Sequence, residues 1–290
     1  MIYLTMNDGR KIPQLGFGCY GIPCNEEGKK AIAEAIKIGY RHFDTAHVYE
    51  NEKIVGEAIN ESGLPREDFF VTSKLWPTEF GYKKSKKALD EMLKRIRLDY
   101  LDMVLLHKET FDYMGAWHAL EEYQEKGLVK SLGVSNFETK KKIDIISASK
   151  TVPTVNQLEA HPYRQQRELD AYGKVKGIIT QSWSPLGHGL KELLFDPTIK
   201  AIAENHNKTI AQIILRWHIQ MGYIVIPMTM NYEHMRQNFE IFDFELNSSE
   251  MEILAELDGK KKLDTMPKMF WSTAHWLQGF SLKRIDKAQK

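Results

Sequence analysis

The stretch from residue 69 to residue 107 decides the fold, because FFVTSK (residues 69–74) and LDMVLLH (residues 101–107) are β-rich runs on either side of a helical pattern. In that pattern four apolar residues fall on one stripe at helical spacing: Leu89, Met92, Leu93 and Ile96. The stripe gives the helix one face to bury. Strand, helix and strand in succession predict an α/β protein.

The same alternation continues outward in both directions. Eight β-rich runs occur in the chain, at residues 14–19, 41–45, 69–74, 101–107, 129–135, 154–158, 178–183 and 223–227. A closed α/β barrel requires eight strands, so we expect a (β/α)8 TIM barrel. Before the first of these runs, Asn7-Asp8-Gly9 lies between short β-rich runs and predicts an N-terminal β-hairpin.

Helix signals later in the chain agree with this architecture. A second apolar stripe contains Ile210, Ile213, Ile214, Trp217 and Met221. It begins with the capping box Thr209-x-x-Gln212. No composition break or low-complexity linker divides the chain, so we expect residues 1–290 to form a single barrel domain with a C-terminal loop.

Composition limits the classes of function. The 290 residues are 42% hydrophobic and 27% charged, and 40 basic against 39 acidic residues leave a net charge of +1. This balance favours small-molecule ligands over nucleic acid or a membrane surface. Cys19 and Cys24 are too few for a disulfide framework, and no His/Cys cluster indicates a metal site. We expect a cytoplasmic monomer.

One motif points to a different fold. Gly16-Phe17-Gly18-Cys19-Tyr20-Gly21 matches G-x-G-x-x-G, and Asp44 follows at a suitable distance, so a Rossmann-type dehydrogenase is an alternative. In a Rossmann fold the third glycine lies in the opening turn of a helix. Here Pro23-Cys24-Asn25 follows the glycines, and Asn25 is a suitable cap for a helix that begins at Glu26. The barrel loop is therefore the preferred interpretation of these glycines.

Four ionisable residues lie at or just beyond the ends of three consecutive predicted strands: Asp44, Tyr49, Lys74 and His107. The strand ends of one barrel face converge, so these side chains are expected to share one pocket. Carbonyl reduction requires a proton at the oxygen on which negative charge builds. Tyr49 is the proton donor in this interpretation, with its pKa lowered by Lys74, which Asp44 holds and keeps charged. His107 orients the carbonyl.

These residues lie in sequence motifs that resemble the aldo-keto reductase family. The motifs are residues 43–52 (FDTAHVYENE), 72–76 (TSKLW), 133–137 (GVSNF), 155–159 (VNQLE) and 184–187 (SPLG), and the resemblance runs in order from about residue 1 to about residue 258. It implies a (β/α) barrel, a bound nicotinamide dinucleotide and the tetrad of Asp44, Tyr49, Lys74 and His107. The reaction implied is the reduction of aldehydes or ketones by NADH or NADPH.

The resemblance also implies which residues contact the cofactor. Ser135, Asn136 and Gln157 would hydrogen-bond the carboxamide, and Trp183 would stack on the nicotinamide where the family usually has tyrosine. Ser184, Pro185, Leu186 and Gly187 would wrap the pyrophosphate, and Gln237 and Asn238 would meet the adenine. The other cofactor contacts implied are Gly18, Cys19, Tyr20, Asp44, Pro227, Met228, Thr229 and His234.

Besides Trp183, two of these positions depart from the family pattern. Met228 stands where the family commonly has lysine, and His234 stands where it has arginine; those cations normally hold the 2'-phosphate of NADPH. A thioether cannot bind a phosphate, and imidazole binds it more weakly than a bidentate guanidinium. We therefore expect NADH-leaning or dual cofactor use. The alternative is that Arg236 or another cation substitutes.

The substrate pocket is expected to have aromatic walls formed by Tyr20 and Trp76, together with His107. Four aromatic residues of the C-terminal tail are further candidates for the wall, or else they dock the tail on the barrel: Phe270, Trp271, Trp276 and Phe280. A regulatory barrel that binds nicotinamide without turnover is a second alternative. Such a protein would have no need of the complete tetrad.

Overall fold

The computed structural model describes residues 1–110 and 112–260. Its N-terminal hairpin closes one end of the barrel. Strands β1 (Tyr3–Thr5) and β2 (Lys11–Pro13) pair antiparallel, as the turn signal predicts. The turn at Gly9 has a φ of +82°, a conformation that glycine adopts without strain. Buried side chains of the hairpin and of the barrel interior form one cluster: Met6, Ile12, Phe70, Met103, Leu105, Val155 and Ile224.

The central sheet consists of eight parallel strands in consecutive order. They are β3 (Phe17–Gly18), β4 (His42–Asp44), β5 (Phe70–Leu75), β6 (Leu101–Leu106), β7 (Val129–Ser135), β8 (Val155–Glu159), β9 (Ile179–Trp183) and β10 (Ile224–Val225). Each overlaps one of the eight β-rich runs of the sequence, and β5 and β8 extend one residue beyond theirs. The α/β fold and its (β/α)8 barrel architecture are therefore confirmed.

The barrel closes between its first and last strands. Gly16 N donates to Val225 O at 2.8 Å, and Gly18 N donates to Pro227 O at 3.0 Å. A Cβ atom at Gly18 would lie only 2.7 Å from Ile226 O, so the close approach of the two backbones requires glycine. The G-x-G-x-x-G motif therefore belongs to the barrel seam, and the Rossmann alternative is wrong.

Helices cover the outside of the sheet. They are α1 (Glu26–Ile38), α2 (Glu52–Asn60), α3 (Tyr82–Ile96), α4 (Tyr113–Glu125), α5 (Lys140–Ser147), α6 (Arg167–Val175), α7 (Lys191–Leu194), α8 (Pro197–His206), α9 (Ile210–Gln220), α10 (Tyr232–Phe239) and α11 (Ser248–Ala255). Asn25 caps α1 through Gly28 N, and Thr209 and Gln212 form the capping box of α9, as the sequence predicts. Among the described helices, none is long and apolar enough to cross a bilayer.

Successive side chains of a strand point alternately into the barrel interior and towards the surrounding helices. On β6, Met103 and Leu105 point into the interior cluster beneath the site, whereas Val104 and Leu106 pack with Leu89 of the α3 stripe. This alternation is the period of two of a β-strand. The strands are therefore buried on both faces, and their carboxyl ends hold polar side chains in fixed positions. The tail aromatics Phe270, Trp271, Trp276 and Phe280 lie outside the described residues.

Candidate active site

A buried ion pair between Lys74 and Asp44 forms the base of the site. Asp44 is the last residue of β4 and Lys74 lies near the end of β5, and their side chains are 2% and 0% exposed. Lys74 Nζ donates to Asp44 Oδ1 and also to Thr45 O at 2.9 Å. A charge removed from water is tolerated only when it is paired and hydrogen-bonded. The two residues therefore hold each other in place.

Tyr49 completes this hydrogen-bonded chain. It lies in a 3-10 turn (His47–Tyr49) just after β4, and Lys74 Nζ donates to its hydroxyl at 3.3 Å. The ring of His107, which directly follows β6, meets the Tyr49 ring edge to face, with 5.9 Å between ring centroids. The structure thus brings together Asp44, Tyr49, Lys74 and His107.

The pKa values of these groups follow from burial and charge. Burial raises the pKa of Tyr49, and Lys74 acts in the opposite direction without cancelling it. We expected a net lowering by Lys74; the net rise means that Tyr49 is a protonated phenol at neutral pH. Burial opposes the charge of Lys74, yet Asp44 and Tyr49 raise the pKa of Lys74 above its ordinary value.

His107 is neutral in this environment. Burial lowers its pKa well below 6.5, and the positive charges of Lys74 and Lys108 act in the same direction. A neutral imidazole has one donor and one acceptor nitrogen. Its Nδ1 atom is buried and has no hydrogen-bond partner among the described residues. The ring therefore keeps a polar atom that no described protein group satisfies.

The second oxygen of Asp44 accepts hydrogen bonds from two glutamine amides. Gln157 of β8 donates to Oδ2 at 2.8 Å, and Gln181 of β9 donates to the same atom at 3.4 Å. The two glutamines are neighbours in the β8–β9 register. The resemblance gave Gln157 a contact with the nicotinamide carboxamide only, and it gave Gln181 no role. An inward-facing polar residue on a barrel strand was the signal that could have found Gln181.

Ser135, Asn136 and Trp183 form a polar group beside the tetrad. Asn136 Nδ2 donates to Ser135 Oγ at 2.9 Å and to His107 O at 3.1 Å, and Trp183 Nε1 donates to Asn136 Oδ1 at 3.0 Å. The indole of Trp183 is thus fixed by a hydrogen bond. Hydroxyl and amide groups are the partners that a carboxamide requires. These residues fit the nicotinamide end of a dinucleotide.

A buried asparagine that was not predicted organises the loop from Cys19 to Ile22. Asn51 is fully buried; its Nδ2 donates to Cys19 O at 2.7 Å and to Ile22 O at 2.9 Å, and its Oδ1 accepts from Thr45 Oγ1 at 2.6 Å. This loop carries Tyr20, whose ring meets that of Tyr49 with 5.1 Å between centroids. Asn51 lies in the first of the family motifs, residues 43–52, and that position was the sequence signal that could have identified it.

The loop after β9 has the irregular backbone expected of a ligand-binding segment. Ser184 has a φ of +48° and Gly187 a φ of +62°, and Gly187 N donates to Ser184 O at 2.8 Å. Pro185 and Gly187 are buried, and Leu186 is half-buried. The ring of His188 lies 6.1 Å from that of Tyr20, so this loop meets the loop that follows β3 at the barrel mouth.

The segment after β10 leads into α10 and carries the predicted 2'-phosphate positions. Met228 and His234 are exposed, Thr229 and Gln237 are half-buried, and Asn238 is buried; Pro227 lies at the barrel seam. Arg236 pairs with Glu233 at 2.7 Å and with Glu240 at 2.6 Å. Arg236, the cation named as a possible substitute for the missing pair, is thus already engaged by two carboxylates.

Aromatic side chains surround the tetrad. Trp76 is buried and meets His107 edge to face at 4.8 Å between centroids, whereas Tyr20 is 57% exposed at the rim. A proton donor, a neutral imidazole and aromatic walls suit a small molecule that bears a carbonyl group. The arrangement can therefore deliver a proton to an oxygen held between Tyr49 and His107.

Comparisons with known proteins agree with this geometry. A sequence model of the aldo/keto reductase family matches residues 14–259. An aldo-keto reductase of Mycolicibacterium smegmatis is 44% identical over 271 residues, which cover 92% of this chain and 97% of that protein. The crystal structure of an aldo/keto reductase from Brucella melitensis is 45% identical, with a TM-score of 0.85, and the match covers 89% of this chain and 99% of that chain. The crystal structure of a Bombyx mori aldo-keto reductase in complex with NADP is 32% identical, with a TM-score of 0.86 and coverage of 93% and 96%.

Proposed function

This chain belongs to the aldo/keto reductase family, and from that premise we propose that Tyr49 delivers the proton when a carbonyl is reduced. The protein is an NAD(P)H-dependent oxidoreductase that converts aldehydes or ketones to alcohols. When bound, the reduced nicotinamide supplies the hydride. What remains to be assigned is the part that each side chain plays.

Each member of the tetrad has a separate task in this proposal. Tyr49 gives its proton to the substrate oxygen as negative charge develops there. Lys74 stabilises the phenolate that remains, through its contact with the Tyr49 hydroxyl at 3.3 Å. Asp44 keeps Lys74 charged and fixed. His107, being neutral, donates a hydrogen bond to the carbonyl and orients it without competing for the proton.

The observation that carries the proposal is the continuous contact from Asp44 through Lys74 to Tyr49, with His107 against the phenol ring. The test is Tyr49→Phe, which removes only the hydroxyl. We expect the rate of reduced-nicotinamide consumption with a simple aldehyde to fall about 10²- to 10⁴-fold, the usual contribution of acid catalysis. Full activity in this variant would refute the assignment.

The control is Tyr172→Phe. Tyr172 also has a hydroxyl that donates to a carboxylate, Asp144, but it lies on α6. This variant should keep the wild-type rate. Dinucleotide binding, measured by calorimetry, should be unchanged in both variants, because neither hydroxyl is proposed to hold the cofactor.

We also propose that NADPH has no strong advantage over NADH. Support comes from the uncharged Met228, from His234 in place of a guanidinium, and from Arg236, which two carboxylates already engage. Each missing charge-assisted hydrogen bond is worth about 1.5–3 kcal/mol, or about tenfold or more in affinity. Calorimetric dissociation constants for the two cofactors should be comparable or favour NADH. A preference for NADPH greater than tenfold contradicts this proposal.

For the setting of the protein, we propose a cytoplasmic monomer with one domain. The two cysteines are free thiols, which suits a reducing compartment. Two of the most exposed apolar side chains in the described part, Val175 and Phe195, lie on separate segments, which supports a monomer. Light scattering after size-exclusion chromatography tests the oligomeric state, and cell fractionation tests the compartment.

A further inference from the structure

One carboxylate ties together the two loops that carry Tyr49 and Trp76. The 3-10 turn His47–Tyr49 follows β4, and a second 3-10 turn (Pro77–Glu79) follows β5. Glu79 Oε1 lies 2.5 Å from His47 Nδ1, and Glu79 Oε2 accepts from Trp76 N at 2.7 Å. Both oxygens of Glu79 are thus engaged, one on each loop.

The two loops meet again at His107. The Tyr49 ring packs edge to face against the imidazole with 5.9 Å between centroids and an interplanar angle of 82°. The Trp76 ring does the same from another side, at 4.8 Å and 88°. His107 therefore lies against two rings whose backbones are joined through His47 and Glu79. A shift of either loop would change the distance between the phenol and the imidazole.

The contact between His47 and Glu79 joins an imidazole to a carboxylate in a nearly enclosed position, and it is an ion pair when His47 is protonated. The His47 residue is 8% exposed, and the side chain of Glu79 is 13% exposed. Burial opposes the charge of His47, yet Glu79 raises the pKa of His47 above its ordinary value. Two other charged groups face the imidazole: Arg95 of α3 lowers its pKa, and Glu52 of α2 raises it. A charge-assisted hydrogen bond is shorter and stronger than a neutral one.

We propose that His47 and Glu79 are positioning residues that fix Tyr49 and Trp76 around His107, and that they do so through an ion pair which requires a protonated His47. This inference rests on the proposed function, because it assumes that the geometry of Tyr49 and His107 sets the rate. A displacement of about 1 Å in reacting groups is enough to cost about 10²-fold in rate.

The sign of the pH dependence follows from the raised pKa of His47. The ion pair is complete below that pKa and is lost as the pH rises through it. The kcat of the wild-type protein should therefore fall at high pH as the pair is lost. A variant that lacks the pair should show no such fall. The ratio of the two rates removes the common contribution of Tyr49.

The experiment replaces Glu79 by glutamine. In Glu79→Gln the amide oxygen still accepts from Trp76 N, but the charge that pairs with His47 is gone. The matched control is Glu250→Gln. Like Glu79, Glu250 accepts a hydrogen bond from the backbone N–H of the residue that caps its helix, here Asn247, and it also pairs with a histidine. His206 Nε2 lies 2.9 Å from Glu250 Oε1, in a contact between α8 and α11.

The expected result has three parts. At a pH below the pKa of His47 and with saturating cofactor, kcat of Glu79→Gln falls about tenfold, while KM changes less than twofold. The ratio of wild-type to variant kcat then approaches one above that pKa. Glu250→Gln keeps the wild-type kcat at every pH, even if its free energy of unfolding falls as much as that of Glu79→Gln.

Other results would overturn the inference. A kcat for Glu79→Gln within twofold of wild type at every pH, or a ratio that does not change with pH, rules out the positioning role. If Glu79→Gln does not fold, His47→Gln keeps an amide donor without the charge and should give the same pH-dependent ratio. An NMR titration of wild-type His47 that gives a pKa at or below 6.5 also excludes it. If Tyr49→Phe is inactive but Glu79→Gln is normal, only this inference fails.

Discussion

Replacing Asn51 by alanine should destabilise the protein and loosen the loop that carries Tyr20. The side chain of Asn51 is fully buried and makes three hydrogen bonds, to Cys19 O, Ile22 O and the Thr45 hydroxyl. Cys19 O keeps a second donor, Ile22 N at 3.2 Å, but Ile22 O and Thr45 Oγ1 lose the partners that Asn51 provides. A buried polar group without a partner costs about 1–3 kcal/mol. The expected loss in free energy of unfolding is therefore about 2–6 kcal/mol.

The assay is urea denaturation, with calorimetry for dinucleotide affinity. Asn60→Ala is the control, because Asn60 makes a single exposed hydrogen bond to Arg97 O, at the end of α2. That variant should lose no more than about 0.5 kcal/mol. If Asn51→Ala is no less stable than Asn60→Ala and binds dinucleotide as tightly as wild type, then Asn51 does not organise the loop and the reasoning is refuted.

Three further outcomes are expected. Burial lowers the pKa of His218 to about 4, so the unfolded chain takes up a proton near pH 6.5 before the folded one does. Between pH 7 and pH 5 this residue alone lowers the free energy of unfolding by about 2 kcal/mol. Urea midpoints should show this dependence reduced in His218→Gln and unchanged in the exposed His234→Gln. Met228→Lys should tighten NADPH binding about tenfold or more while leaving NADH within about twofold, as measured by calorimetry. Gly56→Ala should cost at least about 2 kcal/mol in urea denaturation, because its Cβ would lie 1.6 Å from Ile96 O; wild-type stability would contradict the packing of α2 on α3.

The fold was accessible from the sequence because its signals are local. The apolar run of residues 101–107 predicts β6 (Leu101–Leu106), and the Thr209-x-x-Gln212 box marks the start of α9. The tetrad followed from one general rule, that parallel strands end on the same face. To apply this rule, the end of each strand has to be predicted only to within a few residues. Asp44 and Lys74 satisfied it.

What could not be predicted depends on contacts between distant residues. Glu79 lies 32 residues from His47, and nothing in the local sequence pairs them. The two carboxylates on Arg236 are a similar case, since the sequence offered that residue as a free cation. The net pKa of Tyr49 depends on the balance of desolvation against the charge of Lys74, which requires the packed environment to be known.

The hairpin at the far end of the barrel has a practical consequence for protein engineering. Met6 and Ile12 fill the interior beneath the strands and take no part in the proposed chemistry. Mutations that accumulate around the carbonyl pocket commonly reduce melting temperature. In this chain the hairpin end is a separate place for compensating substitutions, so thermal tolerance and substrate range can be selected in independent libraries.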